Sequence, residues 1–232
     1  GADISFVGNP LLDNVKSSMT KEQACKFFNI DLTDDNILLL PGSRKQEIEK
    51  MLEPMLEAGK IISKERKNVK FFLPVAQGID GKRIEAKINE SGLNVTLCYE
   101  KTYDLMNCCD FAIATSGTVT LEAALMGLPC VVLYKMSSFT YRIAKLFVNV
   151  KFFSLPNILA DEKVLPELLQ DDVNGERIAD ESRLLFKDTE TAQIVKDKLG
   201  QIKLKLGSPG VAERTAKIIL QTAEKFLSKN KE

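Results

Sequence analysis

Short apolar runs alternate with longer amphipathic stretches through roughly the first 160 residues of the chain. The runs are brief and almost free of charged residues, which is typical of parallel strands that are covered on both faces. The stretches between them favour helices. This alternation predicts an α/β fold with a Rossmann-like, doubly wound parallel sheet. The predicted strands occupy residues 4–7, 37–40, 69–75, 95–99, 111–115 and 131–134.

Two helix starts carry a recognisable signal. Thr20 with Gln23, and Ser43 with Gln46, have the spacing of a capping box, in which two side chains satisfy free backbone N–H groups at the start of a helix. In open α/β sheets the ligand lies in a crevice outside the carboxyl ends of the strands, where such helices begin.

The pattern changes after about residue 155. No further strand is predicted there, and Ser208 followed by Pro209 indicates a helix start with proline in the first helical position. We therefore predict a sheet domain, residues 1–160, and a helical extension, residues 161–232, which packs on a partner domain or subunit. Self-association is expected because apolar side chains of the last helix need cover, namely Ile218, Ile219 and Leu220.

The composition of the chain excludes several classes of partner and catalytic site. The chain has 232 residues, with 32 basic and 32 acidic side chains, so nothing in its charge indicates a nucleic-acid partner. It has no histidine, which excludes a histidine base and almost every kind of zinc site, and we expect no metal site. The five cysteines, which form no CxxC pair, are expected to be reduced thiols. The chain begins at Gly1, without an initiator methionine or a signal peptide, so we expect it to start inside a larger protein.

The first candidate turn follows the run at 37–40. Gly42 permits a tight turn, Ser43 is the predicted cap of the next helix, and Arg44 adds a forked, permanently charged donor. Free backbone N–H groups at such a helix start form a ready anion site. An ordinary strand–helix turn with a surface arginine is the alternative for this turn taken alone.

The second candidate turn follows the run at 111–115. Gly117 would let a ligand approach the backbone, and Ser116 and Thr118 offer hydroxyl groups. Glu122 lies four residues beyond Thr118, on the same helix face, where its carboxylate could accept hydrogen bonds from two vicinal ribose hydroxyls. The alternative is that Glu122 only complements the helix dipole.

Together the two turns could hold both phosphates of a nucleoside diphosphate. Neither has the spacing of a P-loop or of the GxGxxG dinucleotide fingerprint, so ATP hydrolysis and NAD binding are both disfavoured.

The residues of these turns resemble the lipid-A-disaccharide synthase family. The pattern Ser116-Gly117-Thr118 with Glu122 is shared by many two-domain glycosyltransferases, whereas the segment 154–160, beginning Ser-Leu-Pro-Asn, is specific to that family. Asn9 departs from the family, in which histidine is common, so the resemblance implies no role for that position. The similar segments are 6–13, 39–44, 47–48, 114–118, 121–123, 128–129, 134–136, 139–140, 154–160 and 166–170.

The resemblance implies one half of a GT-B fold and a hexosyltransferase. The family moves diacylglucosamine from UDP-diacylglucosamine to diacylglucosamine 1-phosphate in lipid A biosynthesis, without a cofactor or metal. Its N-terminal half, which carries the acceptor site and the proposed base, would be absent here, so the chain alone is expected to be inactive. The implied donor-binding residues are Gly42, Ser43, Arg44, Ser116, Gly117, Thr118, Glu122 and Asn157.

Other functions remain open. Another UDP-sugar enzyme of this architecture, such as a peptidoglycan-type GlcNAc transferase or a UDP-GlcNAc epimerase, and a non-catalytic nucleotide-binding module would both carry similar turns.

A segment over residues 138–153 interleaves aromatic and basic side chains. Two interpretations stay open, a helix at a membrane surface and a helix packed in the core with snorkelling cations. No run of 18 apolar residues predicts a spanning helix. We expect a cytoplasmic protein, and the first interpretation adds peripheral attachment to the inner membrane.

Overall fold

The sheet dominates the structure, a computed structural model that describes residues 4–137, 141 and 151–229. Its six strands are all parallel and stand in the order β3-β2-β1-β4-β5-β6. The predicted α/β class is confirmed, as are five of the six predicted strands. The strands are β1 (Asp35–Leu40), β2 (Val69–Pro74), β3 (Val95–Cys98), β4 (Phe111–Thr115), β5 (Cys130–Tyr134) and β6 (Glu167–Leu169).

Helices cover both faces of the sheet. The apolar residues Ile37, Leu38 and Leu39 of β1 are fully buried, which explains why that strand is a continuous apolar run. The helices are α1 (Leu11–Asn14), α2 (Lys21–Phe28), α3 (Lys45–Glu65), α4 (Gly81–Ser91), α5 (Thr102–Cys108), α6 (Thr118–Leu125), α7 (Leu155–Ala160), α8 (Gly175–Arg183), α9 (Glu190–Lys205) and α10 (Val211–Lys229).

The strand order reverses between β1 and β4. The chain runs outward from β1 through β2 to β3, then returns to β4 and runs outward on the other side. In an open α/β sheet this reversal leaves a crevice at the carboxyl ends of the two central strands. Leu40 pairs with Ala114, so β1 and β4 end at the same level and their following turns adjoin.

Residues 4–7 do not form the predicted strand. Instead, this segment runs past the start of α10, where the Val7 carbonyl accepts a hydrogen bond from Arg214 Nε at 3.0 Å and the Asn9 N–H donates to the Leu206 carbonyl at 3.0 Å. The prediction was wrong because it took apolar residues as a sign of a buried strand. Ile4 and Phe6 are apolar but exposed.

Strand β6 was not expected. It pairs with β5, and its Leu168 is buried, so the sheet continues past residue 160. The predicted boundary between residues 160 and 161 therefore falls within one sheet. Helices α8 and α9 also contribute to the main core, through Ile178 and Leu199 among others.

Two helices begin at residues other than those predicted. The Thr20–Gln23 capping box is confirmed, but α3 is capped from Glu47, not by the pair Ser43 and Gln46. The last helix begins two residues beyond Pro209, because Gly210 adopts a φ of +90° and cannot belong to the helix. The Asp13 carboxylate then accepts hydrogen bonds from the N–H groups of Gly210, Val211 and Ala212.

The five cysteines are free and buried. Burial raises the pKa of the Cys98 thiol to about 11 and that of Cys130 to about 12, so both are protonated at neutral pH. In the described ranges no three potential metal-ligating side chains come together, and no helix there has the length and hydropathy needed to cross a membrane.

Candidate functional site

A cavity of about 480 Å³ lies at the carboxyl ends of β1 and β4, where the strand order reverses. Neighbouring strands are about 4.8 Å apart, so the turns that follow them form opposite walls of one crevice. The loop after β2 and the start of α5 supply further wall through Pro74, Ala76 and Thr102. The cavity brings together seven of the predicted site residues: Gly42, Ser43, Arg44, Ser116, Gly117, Thr118 and Glu122.

The second turn presents free donors. Gly117 caps α6, and within the described part of the chain the N–H groups of Gly117, Thr118 and Val119 have no hydrogen-bond acceptor. These donors and the positive end of α6 form an anion site. A Cβ added at Gly117 would meet no atom of the described residues within 4 Å, so their packing does not require the glycine, and its bare backbone leaves room for a ligand.

The first turn differs from the expectation. The N–H groups of Ser43 and Arg44, predicted to be free, donate to Glu47 Oε2 at 3.2 and 3.3 Å. Arg44 also donates from Nη1 to Glu47 Oε1 at 2.6 Å. Sequence reasoning missed Glu47, although its place three residues after Arg44 is the signal of a residue that reaches back to cap a helix.

Glu122 faces the cavity from the fifth residue of α6. Burial raises the pKa of its carboxyl group above the ordinary value of 4.5, and among the described residues no donor or cation contacts it. Burial, with the charge of Glu122 as a smaller cause, also raises the pKa of Tyr103. A half-buried carboxylate without a protein partner is typical of a ligand site. Because it lies beyond the first turn of α6, complementing the helix dipole explains it less well.

Asn157 does not line this cavity. It is fully buried, and its side-chain amide accepts from the N–H groups of Val164 and Leu165 and donates to the Leu165 carbonyl and to Glu167. The structure therefore shows it organising the chain around α7, where all its polar atoms have protein partners.

A hydrogen bond connects the residues just before α7 to the second turn of the cavity. Glu167 accepts from the N–H groups of Phe153 and Ser154, and the Phe153 carbonyl accepts from Ser116 Oγ at 3.4 Å. Most of the aromatic and basic segment predicted over 138–153 lies outside the described residues, which include only 141 and 151–153 of it.

The fold and the position of the cavity define the class. They are those of one Rossmann-like half of a GT-B glycosyltransferase. Among solved structures, the chain is similar to WaaG, a glycosyltransferase involved in lipopolysaccharide biosynthesis, with a TM-score of 0.58, 16% identity and coverage of 90% of this chain and 53% of that one. It is also similar to the C-terminal domain of a group 1 glycosyl transferase from Francisella tularensis, with a TM-score of 0.59, 15% identity and coverage of 87% and 100%. UDP-GlcNAc 2-epimerase from Neisseria meningitidis, solved bound to UDP-GlcNAc, has a TM-score of 0.62, 17% identity and coverage of 93% and 54%.

Sequence comparison gives the family. The model of the lipid-A-disaccharide synthetase family matches residues 1–222, and the chain belongs to that family. It is 39% identical over 221 residues to lipid-A-disaccharide synthase of Geobacter sulfurreducens, covering 95% of this chain and 58% of the relative. It is 40% identical over 215 residues to that of Nitrosococcus oceani, covering 93% and 55%. The chain thus spans little more than half the length of these relatives.

Proposed function

We propose that this chain is the donor-binding part of a lipid-A-disaccharide synthase and that its cavity holds the UDP group of UDP-diacylglucosamine. The observation that carries the proposal is the cavity at the sheet reversal, which combines the N–H groups at the start of α6, the Arg44 guanidinium and the carboxylate of Glu122. Among the residues that the structure describes, neither those N–H groups nor that carboxylate has a hydrogen-bond partner. Family membership supports the reaction, and a fold neighbour solved with UDP-GlcNAc supports the ligand class.

Each group has a distinct part in this proposal. The α6 N-terminus and Arg44 bind the diphosphate, and Glu122 accepts hydrogen bonds from the ribose hydroxyls. In the transfer, the bond between the sugar C1 and the phosphate oxygen breaks, a bond from C1 to the acceptor hydroxyl oxygen forms, and that hydroxyl loses its proton to a base. The fixed donors stabilise the negative charge that develops on the departing UDP, so no metal is needed for that step.

Calorimetric titration with UDP, ADP and UMP tests the proposal. We expect the chain to prefer UDP, and Arg44→Ala and Glu122→Ala each to weaken UDP binding about ten-fold, because each removes a charge-assisted hydrogen bond. Lys45→Ala is the control for Arg44, since it removes the same charge from the next residue, which does not line the cavity. Equal affinities for all three nucleotides, or a folded chain that binds none of them, would contradict the proposal.

The pH dependence of binding tests the part assigned to Glu122. Protonation turns one carboxylate oxygen into a hydroxyl donor and removes the charge that strengthens both hydrogen bonds from the ribose. Because its pKa is raised above 4.5 by burial, UDP affinity should be full above that raised pKa and should decline as the pH falls through it. Glu122→Gln should bind more weakly and lose that decline. A wild-type profile parallel to that of the glutamine variant would exclude the ribose contact.

The acceptor site and the base lie, on this proposal, in the part of the relatives that this chain does not span. We therefore expect UDP binding without sugar transfer from the chain alone. The acylated substrates would place the complete enzyme in the cytoplasm, at the surface of the inner membrane.

The last helix is proposed to be an association surface. Ile219 and Leu220 of α10 are 61% and 63% exposed, and a partner domain or a second copy would cover them. Sedimentation velocity should show self-association that increases with concentration and disappears in the Ile219→Lys/Leu220→Lys double variant. A wild-type chain that stays monomeric at high concentration would refute the second copy as the partner.

A further inference from the structure

The first turn of the cavity is built around a carboxylate of the chain itself. Glu47 accepts the backbone N–H groups of Ser43 and Arg44 with one oxygen and the Arg44 guanidinium with the other. A Cβ added at Gly42 would lie 2.5 Å from Glu47 Oε2 and 2.7 Å from its Cβ. Two features therefore favour glycine at this position: its φ of +113°, which other residues rarely adopt, and the lack of space for a side chain beside Glu47.

These contacts leave one side of Arg44 free. Nη1 is bound to Glu47, whereas Nη2 and Nε have no acceptor within the described ranges, and the side chain is 81% exposed. An exposed arginine normally samples many rotamers and loses that freedom when it binds a ligand. An arginine already fixed by a neighbour loses less, and its ligand is bound more tightly.

On the basis of the proposed function, we infer that Glu47 is a positioning residue for the donor diphosphate. It holds the turn and fixes Arg44 so that the free edge of the guanidinium faces the cavity. The backbone N–H groups of this turn are then not phosphate ligands, and the diphosphate is bound by Arg44 and the opposite α6 N-terminus.

The charge of Glu47 acts in the opposite direction, because a carboxylate repels phosphate. Three donors already compensate that carboxylate, and the pair lies at the surface, where water and salt screen the remaining field. The gain from a fixed Arg44 therefore exceeds the repulsion, and removing Glu47 should weaken binding.

A double-mutant cycle measured by UDP titration tests this inference. Glu47→Ala should weaken UDP binding about five-fold in the wild-type background and less than about two-fold in the Arg44→Ala background. Glu47→Gln, which keeps an acceptor oxygen, should retain most of the affinity. Glu49→Ala is the matched control, since it removes the same charge from the same helix, and among the described residues Glu49 forms an ion pair with Lys45 alone, at 3.8 Å. Thermal unfolding of each variant confirms that it is folded.

Four results would overturn the inference. An equal loss in both backgrounds would mean that Glu47 acts on the turn and not through Arg44. Tighter binding by Glu47→Ala or Glu47→Gln would mean that the carboxylate competes with phosphate. If the folded wild-type chain binds no UDP, the proposed function fails and the inference fails with it, whereas wild-type binding with an unaffected Glu47→Ala variant would remove the inference alone.

Discussion

Replacing Asn157 with alanine is expected to lower the free energy of unfolding by about 3 kcal/mol. The side chain is fully buried, and all four of its hydrogen bonds go to other residues of the chain, at 2.8 to 2.9 Å. The substitution would leave the buried N–H and carbonyl groups of Leu165 without these partners, and water cannot easily replace them, whereas the Val164 N–H would keep its bond to the Glu162 carbonyl. It would also remove one of the donors that hold Glu167.

Denaturant unfolding measures this effect. Asn174→Ala is the matched control, because Asn174 caps α8 by accepting from the Arg177 N–H and donates to the Asp171 carbonyl, both at exposed positions where water can replace it, so its loss should cost only about 1 kcal/mol. UDP affinity should change little in the folded fraction of Asn157→Ala. An unchanged stability with a large loss of UDP affinity would instead assign Asn157 to the donor, as the family resemblance implies.

Gly42→Ala is expected to reduce UDP affinity at least about ten-fold and to destabilise the fold by about 2 kcal/mol. Alanine tolerates a φ of +113° poorly, and its Cβ would overlap Glu47, so the turn must move and take Arg44 with it. Both effects follow from the same displacement of the cavity wall.

Gly78→Ala is the control that separates the effect of backbone strain from the effect of moving the cavity wall. Gly78 has a φ of +83°, but no atom of the described part of the chain lies within 4 Å of an added Cβ, and it does not line the cavity. It should lose about 1 kcal/mol of stability and keep its UDP affinity. If Gly42→Ala bound UDP as tightly as Gly78→Ala does, the first turn would have no part in binding.

The central sheet could be predicted from sequence because its strands are buried on both faces, so burial and apolar runs coincide. Where that coincidence fails, the predictions fail. Residues 4–7 are apolar but exposed at Ile4 and Phe6, and β6 is only three residues long and begins with Glu167, whose carboxylate is used to hold the backbone before α7. A pattern of hydrophobic positions shows neither the exposure of Ile4 and Phe6 nor the hydrogen bonds of Glu167.

The candidate site, like the sheet, could be predicted from the sequence only in part. Two turns that follow buried strands had to lie at one edge of the sheet, but their adjacency depends on β1 pairing with β4, a long-range choice that no local pattern specifies. Which side chain satisfies which backbone donor is equally non-local for Asn157. In the first turn the Ser43 N–H donates to Glu47, where the predicted capping box had assigned it to the neighbouring Gln46.

The buried cysteines give this fold its own reporters of unfolding. A protonated, inaccessible thiol reacts with an alkylating reagent only when the structure around it opens, so the modification rate counts opening events. Cys98 lies in the edge strand β3, and Cys130 lies in β5, between β4 and β6. Mass spectrometry of the alkylated wild-type chain can therefore time the opening of the sheet edge at β3 separately from the opening of the sheet interior at β5, without an engineered residue.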